Sequence, residues 1–184
     1  MTWHTPIALP PLPGSAPASV PGGPRAEPSA QAFRDVMAHL PAGVSVITTD
    51  GIHGPAGMTA SAVCSLSLDP PLVLVCVDNN SRTLVRLRDH GTFAVNVLRQ
   101  DQANLAKDFA DRDTDQRKRF AAASCRHEAD GSLILDGALA WLSCQVQDTY
   151  PGGDHTILTG RVHALGYTHS QPLIWYSRRF HALA

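Results

Sequence analysis

Apolar positions recur along this chain with two periods, and the alternation between them lays out its elements. Phe33, Val36, Met37 and Leu40 follow helical spacing, so a helix is expected over Gln31 to Leu40, capped by Ser29 and stopped by Pro41 and Gly43. Gly43 to Thr49 then alternates and is rich in β-branched residues, and Asp50-Gly51 is a turn signal, which predicts a strand entering a hairpin. A strand is expected from Met58 to Leu66. Leu72 to Val77 is apolar at every position and reads as a central strand buried on both faces. Asn80-Ser81 caps a helix over Arg82 to Asp89, with His90-Gly91 closing it, and Phe93 to Leu98 is the next strand. Short helices follow at Gln102 to Ala110 and Thr114 to Phe120, whereas Ser124 to Gly131 is polar and suggests no element. Ala138 to Gln147, Thr156 to Tyr167 and Pro172 to Tyr176 read as strands. Six or seven strands with small helices, without the long helices a parallel sheet needs, predict a mainly β fold: an antiparallel barrel with helical insertions.

Composition narrows the class. The 184 residues carry 15 Lys+Arg against 16 Asp+Glu, a formal net charge of -1, which argues against nucleic-acid binding through bulk electrostatics. No apolar run approaches the roughly 18–20 residues that span a bilayer. The 14 prolines are unevenly placed: Pro6, Pro10, Pro11, Pro13, Pro17, Pro21, Pro24 and Pro28 crowd the start. Residues 1–28 are therefore expected to be a disordered Pro/Gly/Ala-rich arm, too broken by proline to be a secretion signal, and residues 29–184 a single domain. Cys64, Cys76, Cys125 and Cys144 show neither CxxC nor zinc-ribbon spacing, which points to reduced thiols and a cytoplasmic protein. The histidines form no HExxH, so no metal site is expected.

The missing motifs matter as much. Without GxGxxG, GxxxxGK[ST] or GxSxG, there is no Rossmann unit, P-loop or hydrolase elbow, and any nucleotide is held another way. Gly57 to Pro71 is rich in small side chains, including Thr59, Ala60, Ser61, Ala62, Cys64, Ser65 and Ser67. Such a backbone approaches a flat ligand closely and leaves N–H, C=O and hydroxyl groups to bond its edge, as the pyrimidine rim of a flavin requires. By residue type alone, a small-residue strand packed under a helix fits equally well.

GMTASAVCSLSLDPPLVLVCVDNNSRT, then FAVNVL, GDHTILTGRV and PLIWYSRRF, in that order, closely resemble the flavin reductase family, from about Phe33 to Leu183. The resemblance implies an FMN-binding split β-barrel, homodimeric, that uses FMN or FAD with NADH or NADPH and passes reduced flavin to a partner flavin-dependent monooxygenase. It further implies that Thr59, Ala60, Ser61 and Ala62 line the isoalloxazine and that Cys64, Ser65, Leu66 and Ser67 continue along the ribityl chain. Ser81, Arg82 and Thr83 would hold the phosphate, an assignment that suits a helix N-terminus and a forked cation, and Phe93 and Asn96 are candidates beside the cofactor, although a core position fits Phe93 equally well. Gly153, Asp154, His155 and Thr156 match the family's GDH element, which makes His155 the catalytic candidate, orienting the nicotinamide so that hydride passes from its C4 to flavin N5. Tyr176 and Arg178 are candidates for the border of that pocket, although a packed or solvated role fits them as well. Many relatives carry Ser-Ser-Phe-Thr where this chain has Ser61-Ala62-Val63-Cys64, which leaves flavin affinity and the choice between FMN and FAD open. Two alternatives stand beside this reading: a flavin-binding or electron-carrier module, and a split-barrel flavoenzyme acting directly on an organic substrate. A chain this short has no room for a separate nicotinamide domain, so both cofactors are expected to share one groove.

Overall fold

The computed structural model describes residues 27–183, so the arm expected over 1–28 falls almost wholly outside the described residues. The elements run α1 (Ala30–Met37), β1 (Ala42–Gly43), β2 (Ser45–Thr49), β3 (Ala56–Ala60), β4 (Val63–Leu68), β5 (Pro71–Asp78), α2 (Arg82–His90) and β6 (Thr92–Val97). A 3-10 turn at Gln100–Gln102 then leads into α3 (Ala103–Ala110) and α4 (Gln116–Ala121). The second half holds β7 (Cys125–His127), β8 (Leu133–Leu135), β9 (Ala140–Gly152), β10 (His155–Tyr167), β11 (Leu173–Tyr176) and β12 (Arg179–Ala182).

Seven strands form the main sheet in the order β3-β2-β6-β9-β10-β5-β4, and its neighbours pair antiparallel. β3 and β4 are therefore the two outer strands of the sheet, yet only Ser61 and Ala62 separate them in sequence. The three residue steps from Ala60 to Val63 span at most about 11 Å. The sheet must curl until its edges almost meet, which makes it a barrel split along one seam. The Cys76 N–H donates to the Ala62 carbonyl at 3.0 Å, which carries the β4–β5 ladder up to the crossing.

Burial follows from this curl. Ile47, Val73, Val75, Val77, Phe93, Val95 and Leu158 fill the barrel interior together with Leu84 and Leu87 of α2. A second core gathers Val44, Val46, Leu98, Phe109, Leu135 and Leu173 under α3 and the β1-β11-β12 sheet.

Four expectations change. Leu72 to Val77 is not a central strand but lies next to the edge, with Val73, Val75 and Val77 buried and Leu72, Leu74 and Cys76 only half-buried, because its second face lies on the outside of the barrel. The strand expected from Met58 to Leu66 breaks at Ser61-Ala62, where the chain crosses from one edge to the other. The polar stretch after Ser124 forms the β7-β8 hairpin, and β12 was not foreseen. The helix expected over Gln31 to Leu40 ends at Met37, and its Phe33, Val36 and Met37 stand exposed. No helix among the described residues is long and apolar enough to cross a membrane.

Candidate functional site

A groove follows the seam. One wall is the outer edge of β3, where alternate backbone groups face away from β2. Gly57 shows how strongly that edge is used: its N–H donates to Gln116 Oε1 at 2.9 Å, while its carbonyl accepts from Thr83 Oγ1, Gln116 Nε2 and Arg119 Nη1 at 3.2, 3.1 and 3.0 Å. Two residues on, Thr59 turns its own N–H and C=O to the same side, into the groove. Its hydroxyl does not follow, donating instead to the Ala106 carbonyl at 2.6 Å.

The middle of the groove, a cleft of about 720 Å³, is bordered by Met58 to Ala62, by Phe33 and Arg34 of α1, and by Cys76, Asp78, Arg112, Asp154 and His155. It runs past Met58, Thr59, Asp78 and Arg112, which also border the adjoining end lined by Asn80, Ser81, Arg82, Thr83, Gln116 and Arg119. That end is built by the turn closing β5. Asp78 Oδ1 accepts from the Asn80 N–H at 2.8 Å and its carbonyl from the Ser81 N–H at 2.9 Å, and Ser81 Oγ then caps α2 by accepting from the Thr83 N–H at 3.2 Å. The other carboxylate oxygen of Asp78 pairs with Arg112 Nη2 at 2.5 Å, and Arg82 Nη2 donates to the Arg112 carbonyl at 2.6 Å. The Asn80 N–H and the Arg112 guanidinium hold the Asp78 carboxyl below its ordinary value.

Arg119 is the unusual cation here. It is 5% exposed, its Nε has no hydrogen-bond partner, and burial draws its pKa below the ordinary value. Its Nη1 is spent on the Gly57 carbonyl and its Nε is buried, so the guanidinium lends this end of the groove positive charge. The phosphate of a flavin fits that end, with Ser81, Arg82 and Arg119 around it, and the small-residue edge of β3 fits the ring.

At the other end, the β9-β10 hairpin turns at Gly153, whose φ of 75° suits glycine. Asn79 fastens this turn to β5: its Nδ2 donates to the Gly153 carbonyl at 3.1 Å, its N–H donates to the Asp154 carbonyl at 3.0 Å, and its Oδ1 accepts from Thr156 Oγ1 at 2.7 Å. His155 Nδ1 lies 2.6 Å from Asp154 Oδ1. A carboxylate only accepts, so Nδ1 carries the proton and Nε2 of the neutral ring is left as an acceptor.

Of the residues singled out from the sequence, Thr59, Ala60, Ser61, Ala62, Asp154 and His155 border the middle of the groove, and Ser81, Arg82 and Thr83 its end. Cys64, Ser65, Leu66 and Ser67 leave it along β4, on the far side of the seam. Two candidates move into the core. Phe93 is buried against the Gly160 backbone, and the Asn96 amide donates to the Val46 carbonyl and Thr48 Oγ1 while its Oδ1 accepts from the Leu135 N–H. Tyr176 packs against His39 and His181, outside the groove, and Arg178 pairs with Asp35 of α1. The sequence reading missed Phe33, Arg34, Cys76, Asp78, Arg112, Gln116 and Arg119. The only signal for the last three was a charged run, Asp111 to Arg119, that reads as a solvated surface.

The antiparallel barrel split at one seam thus carries a groove with cations at one end and a histidine at the other. Residues 37–184 match the family model described as "Flavin reductase like domain". The chain belongs to that family. It is 41% identical over 157 residues to the FMN reductase (NADH) RutF of Cronobacter sakazakii, covering 84% of this chain and 93% of the relative. Among solved structures it is similar to the Streptomyces globisporus NADH:FAD oxidoreductase SgcE6 in complex with NAD and FAD fragments, with a TM-score of 0.78 and 36% identity over 84% of this chain and 92% of that one. It is also similar to the styrene monooxygenase flavin reductase of Pseudomonas putida S12, with a TM-score of 0.75 and 32% identity over 83% and 97% of the two chains.

Proposed function

We propose that this chain is an NAD(P)H-dependent flavin reductase in which flavin and nicotinamide share the seam groove, and that it supplies reduced flavin to a partner monooxygenase. The observation that carries this is one continuous groove with Ser81, Arg82 and Arg119 at one end and His155 at the other. The bound flavin supplies the redox chemistry, accepting hydride from nicotinamide C4 at N5.

The protein's own task is placement. The backbone of Thr59 at the outer edge of β3 and of Ser61-Ala62 just beyond it would bond the rim of the ring, contacts that the lack of a side-chain hydroxyl at Ala62 leaves intact. Ser81, Arg82 and Arg119 fix the phosphate, setting how far the ring reaches toward His155. His155 Nε2, left as an acceptor by the contact with Asp154, receives the carboxamide N–H of the nicotinamide and turns its C4 face toward the ring. Phe33 on α1 shields the open side from water.

The exposed apolar residues of α1, with Leu66 and Leu68 on the outer strand β4, support a homodimer that covers the seam. The four cysteines are free thiols, which supports a place in the reducing cytoplasm. Mixing the purified protein with NADH or NADPH and free FMN or FAD under oxygen tests the reading. Nicotinamide oxidation that depends on added flavin supports it; no turnover with any of the four combinations overturns it.

A further inference from the structure

A second cleft, of about 750 Å³, adjoins the phosphate end of the groove, sharing Arg82 and Gln116 with it. It is walled by Arg86 of α2, Arg117 of α4 and the loop carrying Ile52 and His53. Arg82 and Arg86 are four residues apart and share one face of α2. Among the described residues none of these three arginines makes an ion pair, although the chain uses arginine for pairing elsewhere, as in Arg112–Asp78 and Arg126–Asp136. One carboxylate, Asp115, lies in this cleft, and its Oδ1 is engaged by the Arg117 N–H at 2.8 Å as the cap of α4. Ile52 is 92% exposed at the rim, an apolar side chain with nothing over it.

We propose that this cleft holds the adenylate half of FAD, so that FAD is the flavin this chain binds most tightly; the proposal rests on the reading of the seam groove as the flavin site. FMN ends at a single phosphate, which Ser81, Arg82 and Arg119 satisfy, leaving Arg86 and Arg117 without a partner. FAD continues from that phosphate through a pyrophosphate bridge, so its second phosphate must fall immediately beside the first. Arg82 borders both clefts at that junction, and Arg86 and Arg117 stand where the second charge arrives. The ribose and adenine then lie along the loop, covering Ile52 and His53. A 2′-phosphate of NADPH calls for similar cations, but the nicotinamide is placed at the His155 end, and the second cleft opens from the opposite end of the groove.

The test measures binding to the flavin-free protein by quenching of flavin fluorescence, for FMN and FAD, with ADP as a competing fragment and steady-state KM values for NADH and NADPH as a separate arm. The variants are Arg117→Glu alone and Arg86→Gln/Arg117→Glu together, with thermal melting as the check on folding. The wild type is expected to bind FAD at least tenfold tighter than FMN, ADP is expected to displace FAD, and the double variant is expected to lose at least tenfold in FAD affinity while FMN affinity stays within twofold. Equal wild-type affinity for the two flavins, or equal loss of both in the variants, overturns the adenylate site while leaving the reductase intact. A change confined to KM for NADPH assigns the arginines to the nicotinamide cofactor and likewise overturns it. Failure of either flavin to bind at all would instead overturn the groove assignment on which the proposal stands.

Discussion

Asp78 and Arg112 close a 2.5 Å ion pair that ties the end of β5 to the connection between α3 and α4, and the Arg112 carbonyl in turn holds Arg82. Arg112 is largely exposed, so the pair's effect on overall stability is small. Its effect is local: it fixes Arg82 where the groove needs a cation. Asp78→Asn is expected to weaken FMN binding roughly two- to five-fold with little change in melting temperature, as isothermal titration and thermal melting would show. A large loss of stability with unchanged flavin affinity would assign the pair to folding alone.

The same carboxylate sets a pH limit. The Asn80 N–H and the Arg112 guanidinium hold its folded pKa below the ordinary value of 3.8. The stabilisation is therefore fully present above 3.8 and disappears only as pH falls through the lower folded value. Between about pH 5 and 7, flavin affinity should show no transition from Asp78, and the pH profile of Asp78→Asn should coincide in shape with that of the wild type there.

Arg119 distinguishes a phosphate site from a packing role. Arg119→Met keeps the volume and removes the charge. FMN affinity should fall about ten- to one-hundred-fold, the scale of a charge-assisted hydrogen bond, while affinity for riboflavin, which lacks the phosphate, stays near that of the wild type. Equal loss of both ligands would mean that the guanidinium serves the Gly57 carbonyl alone.

Gly57 is confined by its neighbours. A Cβ there would stand 2.7 Å from Phe109 Cε1 and 3.1 Å from Phe120 Cζ. Those rings pack edge to face with centroids 5.0 Å apart and cannot both yield. Gly57→Ala is expected to cost about 1–3 kcal/mol in chemical denaturation and to raise the flavin KM, because the shifted carbonyl releases Gln116 and Arg119 together.

His155 touches neither wall of the phosphate end. His155→Ala should raise KM for NADH roughly three- to tenfold, the loss of one neutral hydrogen bond, and leave the dissociation constant for flavin unchanged in the absence of nicotinamide. Parallel loss of both would place His155 on the flavin instead.

Local signals in the sequence carried much of the fold. The Ser81 cap and the left-handed Gly91 bound α2 almost where the pattern placed it, because both are chemistry of adjacent residues. The alternation at Ser45 to Thr49 marked β2 for the same reason. The seam was not legible. That Ser61-Ala62 carries the chain from one outer strand to the other depends on the pairing of β10 with β5, some eighty positions away, which no local pattern encodes. Asn96 was misplaced for a related reason: an asparagine in a strand looks available until the Leu135 N–H, from a hairpin that polar spacing hid, closes over it. The family motifs marked the β3 edge, the α2 cap and the GDH turn, whereas Arg119 sits in a charged run whose one buried member only the packing of α4 selects.

The central claim is that nicotinamide and flavin meet in the seam groove and that the protein brings them together for hydride transfer. Anaerobic stopped-flow mixing of the flavin-loaded protein with NADH, followed through the visible absorbance of the flavin, tests it most directly. Rapid bleaching that saturates with NADH, slows in His155→Ala and reverses when oxygen is admitted is the expected result. A flavin that stays bound and yellow in the presence of saturating NADH and NADPH would contradict the account.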